Sequence, residues 1–188
     1  NSRFRLDQKK NLYVLDDQKG RYMLATSKAL PGEADTNPIS SKVKSTPFDM
    51  ANANPVTINF DDKLHLIGWE IRSKKGSTSL NAGEKATFVA YFRCVQKVVA
   101  NYDLFIHIDM PGERLRGDHT VLADLYPSSH WMPGDYVIDE HELTIPARQK
   151  KGSYAVQVGL FKNNKRMPII GSEKAVENAF PLTHVQIE

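Results

Sequence analysis

The chain has 188 residues, enough for one substantial domain or for one domain with a smaller appendage. It is 40% hydrophobic and 25% charged, the balance of an ordinary folded protein rather than a disordered or membrane-embedded one. Net charge is +3, with the Lys and Arg dispersed in short clusters such as Lys74-Lys75 and Lys150-Lys151, which argues against a nucleic-acid partner.

Residues 1–30 carry two strand-like runs, residues 11–15 and 21–25, with Asp16-Asp17-Gln18-Lys19-Gly20 as a hairpin loop between them. The opening Asn1-Ser2-Arg3-Phe4-Arg5 has strand character at once and lacks the apolar core of a signal peptide, so the chain reads as an excised fragment. Residues 31–55 hold Pro31, Gly32, Pro38, Pro47 and Pro55 among Asn, Ser and Thr, the composition of a long connector.

From Val56 onward the pattern tightens. Residues 56–60 alternate apolar and polar, and Asp61-Asp62-Lys63 is a turn. Residues 64–71 form the next strand, read with Leu64, Leu66 and Gly68 on one face and His65, Ile67 and Trp69 on the other. Strands follow at 86–95, 102–110, 137–145, 154–161 and 183–187, with Trp131-Met132-Pro133-Gly134 as a turn; residues 173–178 are the best helical candidate. Short strands at regular intervals predict an all-β fold. It is an antiparallel β-sandwich, jelly-roll or immunoglobulin-like, over residues 56–188, with residues 1–55 as an N-terminal β extension. No apolar run approaches the ~18–20 residues of a membrane-spanning helix.

The single cysteine, Cys94, lies in the apolar run Ala90-Tyr91-Phe92-Arg93-Cys94-Val95 and is read as a buried apolar residue. His107 and Asp109 share a strand face, Asp118-His119 follow, and Asp139-Glu140-His141-Glu142 come later. These types could ligate a metal, but no metal motif spaces them. The plain reading is that Asp118 accepts the imidazole proton of His107, and neither metal nor cofactor is expected. Ser128-Ser129-His130, flanked by Pro127 and Pro133, is a turn rather than a triad, whose members converge in space and not in sequence. No nucleophile elbow and no phosphate-cradling loop occurs.

Among the aromatics, Tyr91 and Tyr154 are strand residues and read as core. Tyr126 and Trp131 lie in a loop, where two readings stand: they stack a ligand such as a sugar, or Trp131 folds back to cap the sandwich edge.

A set of ordered phrases carries a resemblance. They are Leu66-Ile67-Gly68-Trp69, Asn81-Ala82-Gly83-Glu84, Tyr102-Asp103-Leu104-Phe105-Ile106-His107, and Asp118. After these come Tyr126 through Gly134, Val137-Ile138-Asp139-Glu140, Gly152-Ser153-Tyr154 and Val158-Gly159-Leu160-Phe161. In that order, residues 64–187 resemble the extracytoplasmic β-sandwich that follows the membrane region in bacterial membrane glycosyltransferases of the mannosyltransferase-like superfamily. The turn after the His-bearing strand departs from that pattern, reading Asp109-Met110-Pro111-Gly112, and residues 1–55 lie outside the resemblance. The resemblance implies a non-catalytic accessory domain on the periplasmic or extracellular side of a membrane. Its partners would be a carbohydrate or lipid-linked sugar and the membrane-embedded remainder of the same polypeptide. Tyr126 and Trp131 would stack the ligand, with His107 and Asp118 orienting the surface. The alternatives are a structural or protein-interaction sandwich using an exposed strand edge, and a hydrolase whose cleft the sequence does not reveal.

Overall fold

The computed structural model describes residues 3–6, 12–16, 21–23, 39, 41–76, 78–110 and 113–188. The chain divides into two compact units, Asn1–Val43 and Lys44–Glu188. The first contains a three-stranded antiparallel sheet in the order β1 (Arg3–Leu6), β2 (Leu12–Asp16), β3 (Arg21–Met23). The expected loop at 17–20 and most of the connector up to residue 40 lie outside the described residues.

The second unit is a β-sandwich: two sheets pack face to face, with only two short 3-10 turns as helical structure among the described residues. After the two-residue strand β4 (Val43–Lys44) come β5 (Asn54–Phe60), β6 (Leu64–Arg72), β7 (Ser79–Leu80), β8 (Lys85–Cys94), β9 (Asp103–Met110), β10 (Glu113–Arg116) and β11 (His119–Thr120). The turns η1 (Val121–Asp124) and η2 (Ser128–His130) precede β12 (Tyr136–Thr144), β13 (Gly152–Lys162), β14 (Lys165–Arg166), β15 (Ile169–Ile170) and β16 (Phe180–Ile187). One sheet runs β10-β9-β13-β16-β7, with β11 on β9 and β14 on β13. The other includes the run β15-β5-β6-β8-β12. The pairings are antiparallel except β16 with β7, which is parallel.

The core is what the alternating strands dictate. Leu104, Ile106 and Ile108 of β9 and Val156, Val158 and Leu160 of β13 point inward. They meet Phe88, Ala90 and Phe92 of β8, Ile58 and Phe60 of β5, and Leu64 and Leu66 of β6. Cys94 is buried with them, and burial pushes its thiol up to about 12.

Two expectations need correction. The register of β6 against β8 shifts between Leu66 and Gly68, a β-bulge. Leu66 pairs with Phe92, whereas Trp69 pairs with Ala90 and Ile71 with Phe88. The extra residue therefore turns Trp69 to the same face as Leu64 and Leu66, where its ring stacks on Phe88 at 6.4 Å and is buried. A strict two-residue alternation had put Trp69 on the opposite face. The second correction is residues 173–178, which form no helix: Glu177 and Asn178 have φ of 49° and 57°, and Val176 bridges to Ala179.

Candidate functional site

The outward face of β9 carries Phe105, His107 and Asp109, because its other residues are committed to the core. Register brings β10 and β13 alongside: Arg116 pairs with His107, Arg114 with Asp109, Gln157 with His107 and Gly159 with Phe105. Glycine at 159 lets the Phe105 ring lie over the strand, since a Cβ there would fall 2.5 Å from Phe105 Cζ. After Lys162 the chain reverses through Asn163 and Asn164, both at positive φ (48° and 62°), and β14 returns Arg166 opposite Phe161. The Arg166 guanidinium covers the Phe105 ring at 5.0 Å from its centroid, and Nη1 donates to the Glu177 carbonyl at 2.9 Å.

These residues enclose a pocket of about 170 Å³ lined by Phe105, His107, Arg116, Asp118, Phe161, Asn164 and Arg166. It is smaller than the ~300 Å³ from which drug-sized ligand sites begin. A second pocket of about 310 Å³, lined in part by Tyr102, Lys162 and Lys165, shares Arg166 with the first.

Inside the smaller pocket His107 Nε2 lies 2.9 Å from Asp118 Oδ1, while Arg114 Nη1 faces His107 Nδ1 at 3.5 Å. A guanidinium can only donate, so Nδ1 accepts and Nε2 carries the proton. The neutral tautomer this network assigns agrees with the electrostatics. Burial lowers the His107 pKa below its ordinary value, the Asp118 charge opposes this, and Arg114 and Arg116 add to the lowering. Arg116 is exposed and makes no hydrogen bond or ion pair with the described residues.

Tyr126 and Trp131 are elsewhere. Trp131 is 0% exposed: its ring packs against Phe92 at 5.7 Å and its Nε1 donates to the Tyr126 carbonyl at 2.8 Å. Tyr126 is 5% exposed, and its hydroxyl donates to Asp135 Oδ2 at 2.8 Å with the His130 carbonyl at 3.0 Å. Burial raises both the Tyr126 hydroxyl and the Asp135 carboxyl above their ordinary values. Both rings expected to stack a ligand face the core, and neither offers a free face. Trp131 instead closes the sandwich, the second of the two readings its loop allowed. Ser128 is buried in the same turn, accepting the Tyr102 N–H at 2.8 Å, and is structural.

A second histidine cluster lies where β11 meets β12. His119 Nδ1 faces the Gly117 carbonyl at 2.8 Å and Nε2 faces Asp139 Oδ2 at 2.6 Å, so both ring nitrogens meet acceptors and both carry protons. Burial lowers the His119 pKa, but the hydrogen bond and charge of Asp139 and the Gly117 carbonyl outweigh it, and the value is raised. Asp139, fully buried, also accepts the Leu122 N–H at 2.7 Å. His141 stacks on His119 at 3.8 Å, and its pKa is lowered by burial and then by the His119 charge. No group of three or more His, Cys, Asp or Glu is arranged to hold a metal ion among the described residues.

Of the four residues singled out from the sequence, the structure thus joins His107 to Asp118 in one pocket and Tyr126 to Trp131 in a buried turn. Sequence reasoning missed Phe105, Arg116, Phe161, Asn164 and Arg166. The available signal was Asn163-Asn164 after a strand run, a pair suited to positive φ and so to a tight hairpin that brings Arg166 back over β13. The fold and pocket define an all-β sandwich with a polar, aromatic-edged recess on the outer face of one sheet. No protein-family model matches the chain, and no curated protein matches it.

Proposed function

We propose that this chain is a non-catalytic accessory domain on the extracytoplasmic side of a bacterial membrane. In this reading it binds glycans or lipid-linked sugars for the membrane-embedded remainder of the same polypeptide. The observation that carries the reading is the outer-face pocket. It sets an aromatic edge, Phe161, beside a carboxylate, an amide and a guanidinium from Asp118, Asn164 and Arg116, in a recess below the size of drug-sized sites. A pyranose presents the matching chemistry, an apolar ring face rimmed by hydroxyls. The ordered phrases from Leu66 to Phe161 support the membrane-glycosyltransferase context.

Binding rather than turnover is favoured because both nitrogens of His107 already face partners, leaving neither to take a proton from a ligand. Strand addition by a protein partner is disfavoured at three sheet edges of the second unit: β10 carries Arg114 and Arg116, and β7 and β15 are two residues each.

An antibody to this domain, applied to fractionated source cells, tests the context. A membrane-fraction band far above 21.2 kDa supports the reading, and a soluble band of 21.2 kDa overturns it. A glycan array probed with the purified chain tests the binding. Signal lost on Asp118→Asn supports the pocket, and signal that survives it places the site elsewhere.

A further inference from the structure

The charge of the pocket narrows the ligand class; this step rests on the glycan-binding reading above. Arg116 and Arg166 both line the recess, and among the described residues the only carboxylate lining it is Asp118. His107 is neutral and its proton is directed to Asp118, so it adds no charge of its own. Arg114 lies next to this set, but its Nε donates to Asp109 Oδ1 at 2.5 Å and its charge is matched there. Among the described residues the recess therefore holds two guanidiniums against one carboxylate.

The two guanidiniums differ in a useful way. Arg166 is anchored by the Glu177 carbonyl and by the face of Phe105, so it is held before any ligand arrives. Arg116 is exposed and has no hydrogen-bonding or ion-pair partner among the described residues. A fixed cation beside one with unused donors suits an oxyanion, to which guanidinium makes paired, charge-assisted hydrogen bonds. A bare inorganic anion does not account for the rest of the lining. Asp118 would repel it, and the Phe161 edge would have nothing to contact. Both are explained if the oxyanion is carried on a sugar ring, with a hydroxyl donating to Asp118 and the apolar ring face on Phe161.

We infer that the pocket between β9, β10 and the β13–β14 hairpin binds an acidic saccharide unit, its carboxylate or phosphate held by Arg116 and Arg166 and a hydroxyl by Asp118. The larger recess shares Arg166 and adds Lys162 and Lys165, so a chain longer than one unit would continue over the hairpin along a basic path.

Titration calorimetry of the full chain with glucuronate, glucose 1-phosphate, glucose and inorganic phosphate tests this. Glucuronate or glucose 1-phosphate should bind and glucose should not, and the two acids tell a carboxylate ligand from a phosphate one. Arg116→Ala, an exposed change that leaves the fold intact, should weaken binding about tenfold or more, the effect of losing a hydrogen bond between charged groups. Asp118→Asn should weaken the saccharide acids and, by removing a repelling charge, strengthen any binding of inorganic phosphate. Glucose binding as tightly as glucuronate would overturn the acidic preference while leaving the glycan-binding function standing. Inorganic phosphate binding as tightly as glucose 1-phosphate, with no response to glucuronate, would overturn the saccharide assignment and the proposed function beneath it. No heat from any of the four would overturn the acidic-saccharide assignment, with the glycan array left to decide the function beneath it.

Discussion

The two histidine–carboxylate pairs are built from the same side chains and shift in opposite directions. His107 meets Asp118 at 2.9 Å, with Arg114 and Arg116 beside it, and its pKa is lowered. His119 meets the buried Asp139 at 2.6 Å, with a backbone carbonyl on its other nitrogen, and its pKa is raised. Burial opposes the charged form in both rings. What differs is the group facing the second nitrogen: a cation at His107, an acceptor at His119. A His–Asp contact alone therefore says little about protonation, because the far side of the ring decides it.

Removing the carboxylates separates the pairs most sharply. Asp139→Ala leaves a buried imidazolium without its partner and should cost about 3–5 kcal/mol in urea unfolding. Trp131→Ala, which empties the site beside Phe92, should cost a similar amount, about 3–5 kcal/mol. A near-neutral result there would mean that Trp131 is not core.

The pH dependence comes next in size. His119 has a folded value above the ordinary 6.5, so its contribution is fully present below that pH and is lost as pH rises through the folded value. His107 has a folded value below 6.5, so its contribution is present above 6.5 and is lost as pH falls through the folded value. Urea midpoints for wild type, His119→Gln and His107→Gln between about pH 5 and 8 should show it. The deficit of the first variant should shrink as pH rises, and that of the second as pH falls. Parallel curves would break the comparison. The smallest effect belongs to Asp118→Ala. Its carboxylate is about a third exposed, and the loss should stay within about 1 kcal/mol. A loss there as large as at Asp139 would show that the outer pair is structural after all.

The strands of the second unit were legible because alternation of apolar and polar residues follows directly from the pleat, as in residues 56–60 and 102–110. Alternation is blind to a bulge, and so Trp69 was placed on the wrong face. The contact between His107 and Asp118 was legible because the two lie close in sequence and differ in charge type. The rest of the pocket was not. Phe161 and Arg166 reach His107 only through the pairing of β9 with β13, which no local pattern specifies. Trp131 and Tyr126 were ambiguous for a different reason: a loop aromatic flanked by proline has the same local sequence whether its ring turns out or in.

The order of strands in the sheets has a kinetic consequence. Neighbours in space are remote along the chain: Lys85 pairs with Thr144, and Asp103 with Phe161. Closing such long loops before any contact repays the entropy places β-sandwiches among the slower folders, on the order of milliseconds to seconds. Until β12 arrives, β8 waits with the unbroken apolar run Phe88-Val89-Ala90-Tyr91-Phe92, a segment able to pair with its own kind on another molecule. Refolding from urea should therefore lose yield as protein concentration rises, and a charge placed on β8 at the half-buried Thr87 should restore part of it.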